Sequence, residues 1–144
     1  MIGRAEIAEL IPHGGAMSLL DAVTTWDSAR ITCRSATHRH AANPLARDGK
    51  LDAVCGVEYA AQAMAVHGAL TGGRDVPTVA GYLASLRNVE CHVDRLDQLG
   101  ADLEIDAEVL LAEASHVIYR FALRCDGRVV LSGRAAVVLD RAAP

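Results

Sequence analysis

The sequence predicts an α+β domain in which a curved antiparallel sheet wraps around one long buried helix. Three observations lead to this prediction. A nearly continuous apolar segment over residues 52–71 has the length of a helix. Segments of strand character lie on both sides of it. An Asp-Gly pair, which favours a tight hairpin, joins the last two strands. The 144 residues contain no repeat and no linker, so we expect residues 1–144 to form a single domain.

The segment over residues 52–71 is predicted to be the central helix. Asp52 is a plausible N-cap, because its carboxylate can accept hydrogen bonds from the first turn. Two glycines that follow are predicted to end the helix in the left-handed conformation. Only Glu58, Gln62 and His67 interrupt the apolar surface. A helix without a polar face is buried or crosses a membrane, and this one is at the lower length limit for crossing. We therefore predict a buried helix and no membrane span.

The remaining elements follow from residue alternation and turn signals. A short amphipathic helix is expected over residues 5–10, a loop over 11–17, and a polar, irregular segment over 37–51. The expected strands are residues 18–26, 29–36, 78–91, 101–111, 115–125 and 128–139. Together they form a run of antiparallel strands, with the helix inserted after the second one.

Composition and charge exclude several classes of function. The net charge is −4, the basic residues are scattered, and aromatic residues make up 3% of the chain, so we expect no nucleic-acid partner. The first residues lack an apolar signal segment, so we expect a cytoplasmic protein. The cysteines form no Cys-x-x-Cys pair and are expected to be small core residues: Cys33, Cys55, Cys91 and Cys125.

The histidines lack the spacing of a metal site, so we expect no bound metal. His38 and His40 are expected in solvent, His67 in the core or at a helix end, and His92 and His116 at the surface. His13 differs from these, because it follows a proline and precedes two glycines. A backbone of this kind can pass close to another element, which allows a functional site at His13.

Glu58 is the residue of the central helix that most needs an explanation. Burying a lone carboxylate is costly, so it normally has partners or a raised pKa. Glu58 and Gln62 lie on one face at positions i and i+4, with Cys55 one turn earlier and the positive helix end nearby. These groups suit acid–base chemistry on a carbonyl. The alternative is a structural carboxylate that pairs with an arginine or a loop backbone.

Several segments together resemble one known family. The segments over residues 56–62, 10–21 and 80–139 resemble the hot-dog-fold β-hydroxyacyl-carrier-protein dehydratases of fatty-acid synthesis. In that family an acidic residue in the helix is followed four positions later by glutamine. Residues 90–94, Glu-Cys-His-Val-Asp, resemble the dehydratases predicted in aryl-polyene pigment gene clusters. The resemblance implies a hot-dog fold over nearly the whole chain.

The resemblance also implies roles for individual residues. Glu58 corresponds to the catalytic acid, and the residues implied in substrate binding are Ala53, Val54, Gly56 and Gln62. Counting back from Glu58 without gaps places Pro44 where the dehydratases carry a catalytic histidine. The loop over residues 43–50 is interpreted as shortened, with the histidine lost. His13 is our candidate for the general base; without it, Glu58 must make both proton transfers.

The implied reaction removes water from a 3-hydroxyacyl thioester, for which we expect no cofactor. The substrate is expected to arrive on phosphopantetheine, as an acyl carrier protein or coenzyme A thioester. A homodimer is expected, and a heteromer with a histidine-bearing dehydratase is also open. A docking patch for an acidic carrier protein is one interpretation of four basic residues, and scattered solvated charge is the other: Arg47, Lys50, Arg74 and Arg87.

Two other functions are compatible with the same residues. A hot-dog thioesterase can use a helix carboxylate to activate water against a thioester. A non-catalytic subunit of an active dehydratase would explain the missing histidine. A fold alone does not decide among these functions.

Overall fold

The computed structural model describes residues 1–11, 17–72 and 80–140. The elements in chain order are β1 (Ile2–Gly3), α1 (Arg4–Leu10), β2 (Ala22–Trp26), β3 (Arg30–Ser35), α2 (Gly56–Thr71), β4 (Ala80–Cys91), β5 (Leu103–Ala112), β6 (His116–Cys125) and β7 (Arg128–Asp140). The strands form one antiparallel sheet of seven strands in the order β1-β2-β3-β5-β6-β7-β4. The predicted fold class is confirmed.

The helix α2 packs against the inner face of the sheet, chiefly on β3, β5 and β6. Alternate residues of β5 and β6 point toward the helix and are buried, so both strands have the period of two that one packed face requires. The core between sheet and helix includes Tyr59 and Phe121, together with leucines and isoleucines from both sides. The mostly apolar surface of α2 is therefore explained by burial. No described helix is long and apolar enough to cross a membrane.

Both ends of the central helix differ from the predicted details. Ala53–Cys55 form a 3₁₀ turn ahead of α2, and Asp52 precedes this turn without a capping hydrogen bond from its side chain. At the other end, Gly72 has φ −74° and ψ −14°, which is right-handed, so the predicted left-handed cap is wrong for this residue. Its N–H still donates to the Gly68 carbonyl, which continues the helical pattern. Gly73 lies outside the described residues.

The first long strand begins later than the predicted residue 18. Leu19 is buried, but its N–H donates to the Gln62 side chain at 2.9 Å. Its carbonyl accepts hydrogen bonds from the hydroxyls of Ser35 and Thr37. Because side chains bond to the N–H and the carbonyl of Leu19, these groups do not pair with a neighbouring strand. The strand β2 therefore begins at Ala22.

The segment over residues 37–51 is less irregular and more buried than predicted. It begins with a 3₁₀ turn, Thr37–Arg39, and the prediction of a solvated His38 is wrong because its side chain is 1% exposed. His38 Nε2 donates to the Leu99 carbonyl at 3.1 Å. Burial lowers the pKa of His38, with a further contribution from the neighbouring Arg39 guanidinium. His40 is exposed, as predicted.

Three other local predictions can be compared with the structure. Asp126 and Gly127 have φ of 52° and 74°, which confirms a primed hairpin turn. His67 is buried, as predicted, with Nε2 donating to the Asp27 carbonyl and Nδ1 bonded to the Tyr119 hydroxyl, each at 2.8 Å. Cys33 and Cys125 are buried, whereas Cys91 is exposed, so the prediction of core cysteines fails there.

Candidate active site at the start of the central helix

The start of α2 is pressed against the sheet. Gly56 is buried, and a Cβ at this position would lie 2.6 Å from Leu131 Cδ2 and 2.9 Å from Leu123 Cδ2. Only glycine lets the helix begin this close to β6 and β7. The structure therefore gives Gly56 a packing role, and its contact with substrate stays a prediction.

Glu58 and Gln62 are brought together, as their spacing predicted. Glu58 is half-buried, and Gln62 Nε2 donates to its Oε1 at 3.4 Å. The same nitrogen donates to the Met17 carbonyl at 2.7 Å, while Gln62 Oε1 accepts from the Leu19 N–H. Gln62 is 1% exposed, so its amide joins α2 to residues 17–19 and supports Glu58 from the buried side.

The backbone donors at the helix start are partly used within the chain. The Ala53 N–H donates to the Asp94 carbonyl at 3.0 Å, and the Cys55 N–H donates to the Asp52 carbonyl at 3.0 Å. Among the residues that the structure describes, Val54 N–H has no acceptor, and the Val54 residue is 59% exposed. Of the two residues at the helix start that are implied in substrate binding, Val54 has an available N–H donor for an oxyanion and Ala53 does not.

The predicted base, His13, lies outside the described residues. The described chain resumes at Met17, whose carbonyl accepts a hydrogen bond from Gln62 beside Glu58. Pro44, which counting back from Glu58 predicts at the position of the dehydratases' histidine, lines a cavity of about 200 Å³. The cavity wall consists of Arg4, Ser18, Leu19, Thr37, His40, Ala42, Asn43 and Pro44. His40, which was predicted to lie in solvent, therefore also lines this cavity.

A buried polar network holds the loop before the helix. The Tyr59 hydroxyl is hydrogen-bonded to Thr37 Oγ1 at 2.8 Å and accepts from Asn43 Nδ2 at 3.0 Å. Burial raises the pKa of Tyr59, so the phenol remains neutral at physiological pH. This network was not predicted, although a tyrosine next to Glu58 in an otherwise apolar helix is a signal for a buried hydroxyl that needs partners.

The four basic residues, for which a docking patch and scattered charge are the two interpretations, lie on separate elements where the structure describes them. Arg47 and Lys50 are exposed on a tight turn, and Arg87 is exposed on β4. Arg74 lies outside the described residues. Within residues 1–11, 17–72 and 80–140, no group of three or more His, Cys, Asp or Glu side chains is arranged to hold a metal ion.

Solved structures of similar shape support a hot-dog fold. A chain of the dehydratase heterocomplex ApeI:P from Xenorhabdus doucetiae is 25% identical, with a TM-score of 0.82, over 94% of this chain and 91% of that one. AziG from S. sahachiroi is 18% identical, with a TM-score of 0.67, over 92% and 99% of the two chains.

A more distant similarity shows the fold alone. A hypothetical thioesterase from Streptococcus pneumoniae TIGR4, solved with coenzyme A, is 11% identical, with a TM-score of 0.61, over 84% of this chain and 88% of that one. A comparison with curated proteins finds no match. The family model described as "ApeP-like: ApeP dehydratase" matches residues 5–142, and the chain therefore belongs to this dehydratase family.

Proposed function

We propose that this protein removes water from a 3-hydroxyacyl thioester, with Glu58 as the acid and the Val54 N–H as the oxyanion donor. The observation that supports it most strongly is the position of Glu58 one helical turn beyond an available backbone donor. The buried Gln62 amide holds Glu58 in this position, since its Nε2 donates to both Glu58 Oε1 and the Met17 carbonyl. Gln62 and Gly56 support the site, and neither needs to contact the substrate.

In the substrate, the proposed reaction breaks the Cα–H and Cβ–O bonds and forms the second bond between Cα and Cβ. A base removes the proton on Cα, and the electron pair moves toward the thioester carbonyl, whose oxygen gains negative charge. The Val54 N–H and the positive end of the helix stabilise that oxygen. The electron pair then returns to form the Cα–Cβ double bond, while the Cβ hydroxyl leaves with a proton from Glu58 as water.

The base that removes the Cα proton is proposed to be a histidine. His13 is one candidate, because Met17, four residues later in the sequence, is hydrogen-bonded to Gln62 beside Glu58. A histidine of a second subunit is a further candidate, because counting back from Glu58 places Pro44 where the dehydratases carry their histidine. Without either histidine, Glu58 would make both proton transfers. The similar chain from Xenorhabdus doucetiae belongs to a heterocomplex, so we propose a histidine-bearing hot-dog partner for this chain, with a homodimer as the rival assembly.

The substrate is proposed to arrive on a phosphopantetheine arm, from a carrier protein or coenzyme A, with no cofactor resident in the protein. The half-buried position of Glu58 is compatible with a carbonyl and a hydroxyl delivered at the end of a narrow arm. A carrier protein is an acidic partner, for which Arg47, Lys50 and Arg87 are candidate contacts. We also propose the cytoplasm as the location.

Mass spectrometry of a 3-hydroxyacyl carrier protein tests this function. The substrate is incubated with the protein alone, with a histidine-bearing hot-dog dehydratase, and with both together. We expect the acyl group to lose water in an incubation that contains this protein. Replacing the protein by its Glu58→Gln variant should abolish the loss of water that depends on this protein. Glu104→Gln, a substitution of an exposed glutamate on β5, is the matched control and is expected to leave the activity unchanged.

Each other outcome identifies a different function. Release of the free acid would show a thioesterase and overturn the dehydratase proposal. Dehydration by the mixture that persists with Glu58→Gln would show that this chain acts as a non-catalytic subunit. An unchanged substrate in every arm would contradict the proposal altogether.

A further inference from the structure

One short segment makes several contacts with the residues that lead into the central helix. The segment runs from Asp94 to Asp97, and we call it the brace. The Asp94 carbonyl accepts the Ala53 N–H at 3.0 Å, and the Leu96 N–H donates to the Leu51 carbonyl at 2.8 Å. Asp97 Oδ1 accepts the Leu51 N–H at 2.8 Å. The brace thus fixes the backbone on both sides of Asp52, as a short antiparallel bridge.

An arginine within the brace holds its carboxylate. The Arg95 guanidinium donates to both oxygens of Asp97, and the two side chains are 29% and 17% exposed. Arg95 and the Leu51 N–H together lower the pKa of Asp97 to about 2. The carboxylate therefore stays ionised at neutral pH and remains a strong acceptor for the Leu51 N–H.

The brace is also anchored in the core. Leu96 is fully buried, and its Cδ1 lies 3.7 Å from the position that a Cβ of Gly56 would occupy. Since both the brace and the first residue of α2 pack at this point, a shift of the brace would move the helix start against the sheet. The anchor makes the four-residue segment a rigid support.

The residue that follows the braced backbone is Val54. The direction of the Val54 N–H is set by the peptide plane that joins it to Ala53, whose own N–H is held by the brace. A donor that stabilises a developing oxyanion has to be held within about 0.5 Å of its working position. Val54 is 59% exposed and its N–H has no described acceptor, so the brace, which holds the preceding residue, is the described segment that can fix the direction of this N–H.

We propose that Asp97 and Arg95 are positioning residues for the dehydration, which aim the Val54 N–H at the thioester oxygen without touching the substrate. This inference rests on the proposed function. The hydrogen bond to the oxygen strengthens as negative charge develops in the transition state. A loosened brace should therefore lower kcat and leave KM nearly unchanged.

Steady-state dehydration of a 3-hydroxyacyl carrier protein by Asp97→Ala tests the inference, in the assembly in which the wild type is active. We expect kcat to fall about tenfold, less than the 10²–10³-fold that loss of an oxyanion donor costs, with KM within about twofold. Asp97→Asn keeps an oxygen that can accept the Leu51 N–H, so it should restore most of kcat. Asp102→Ala is the matched control, since this ion-paired aspartate holds Arg34 and Arg39.

Amide hydrogen exchange separates positioning from unfolding. In Asp97→Ala we expect faster exchange confined to residues 51–54, and in Asp102→Ala no change there. A wild-type kcat in Asp97→Ala, or an equal loss of kcat in both alanine variants, would overturn the positioning role and leave the proposed function standing. An inactive wild type would overturn the proposed function itself, and with it the role of the brace.

Discussion

Two polar positions on the same buried helix have opposite surroundings. His67, near the end of α2, is 1% exposed, and both its ring nitrogens bond to groups of the chain. Glu58, in the first turn, is half-buried and receives a long hydrogen bond from Gln62. A polar group enclosed on all sides stabilises a fold, whereas one with an open side can act on a ligand. Glu58 should therefore matter for activity, and His67 for stability.

The largest loss of stability is expected at His67. His67→Leu leaves the buried Tyr119 hydroxyl and the carbonyl of the exposed Asp27 without their partner, and a buried unpaired group costs about 1–3 kcal/mol. We expect the free energy of unfolding to fall by about 3 kcal/mol in a denaturant titration. His92→Leu, at an exposed histidine, is the control and should change it by about 0.5 kcal/mol or less. Equal effects would show that the bonds of His67 contribute little.

Gln62 is expected to affect both the stability and the dehydration activity, so its role is intermediate between those of His67 and Glu58. Gln62→Leu removes the acceptor of the Leu19 N–H and the donor to the Met17 carbonyl, and should cost about 2 kcal/mol of stability. It should also lower dehydration, because Glu58 loses its buried support. Unfolding and turnover measured on the same preparation check this prediction. Full activity in a destabilised variant would show that Glu58 does not need Gln62.

Gly56→Ala is expected to destabilise through packing alone. The added methyl would lie 2.6 Å from Leu131 Cδ2, and overpacking of this kind costs about 1–3 kcal/mol. Gly100→Ala is the control, because a Cβ there meets nothing within 4 Å. Thermal unfolding of the two variants tests the prediction, and an unchanged midpoint for Gly56→Ala would show that the helix start can move away from β7.

The smallest effect is a pH dependence at His38. Its pKa in the folded protein is lowered by burial, so below the ordinary value of 6.5 the unfolded chain binds a proton that the folded one resists. Stability should fall as the pH drops through 6.5, and the loss should cease below the folded pKa. His38→Gln, which can still donate to the Leu99 carbonyl, should remove this part of the loss. The exposed His40→Gln is the control, and identical pH profiles of all three proteins would contradict the assignment.

Patterns within a short stretch of sequence correctly predicted the features of the fold that neighbouring residues determine. The period of two in β5 and β6, the apolar run of α2 and the Asp126–Gly127 turn are all set by neighbouring residues, and each is found in the structure. The pairing of Glu58 with Gln62 follows from helical spacing for the same reason.

Contacts between distant segments were not predictable in this way. His38 is buried by a contact with Leu99, and Leu51 is held by Asp97, 46 residues later in the chain. The late start of β2 depends on a side chain of α2 that takes the Leu19 N–H. The Ala53 N–H is not available to a substrate because it donates to the carbonyl of Asp94, 41 residues later in the chain. Each partner lies outside the window in which periodicity and turn signals operate.

The most direct measurement compares Glu58→Gln with His67→Leu in one experiment. Dehydration of a 3-hydroxyacyl carrier protein is followed per mole of folded protein, and the free energy of unfolding is determined for both variants. We expect Glu58→Gln to lose at least about 100-fold in activity with little change in stability, as removal of a general acid does. His67→Leu should lose stability and keep its activity. An active Glu58→Gln variant would contradict the assignment of Glu58 as the acid.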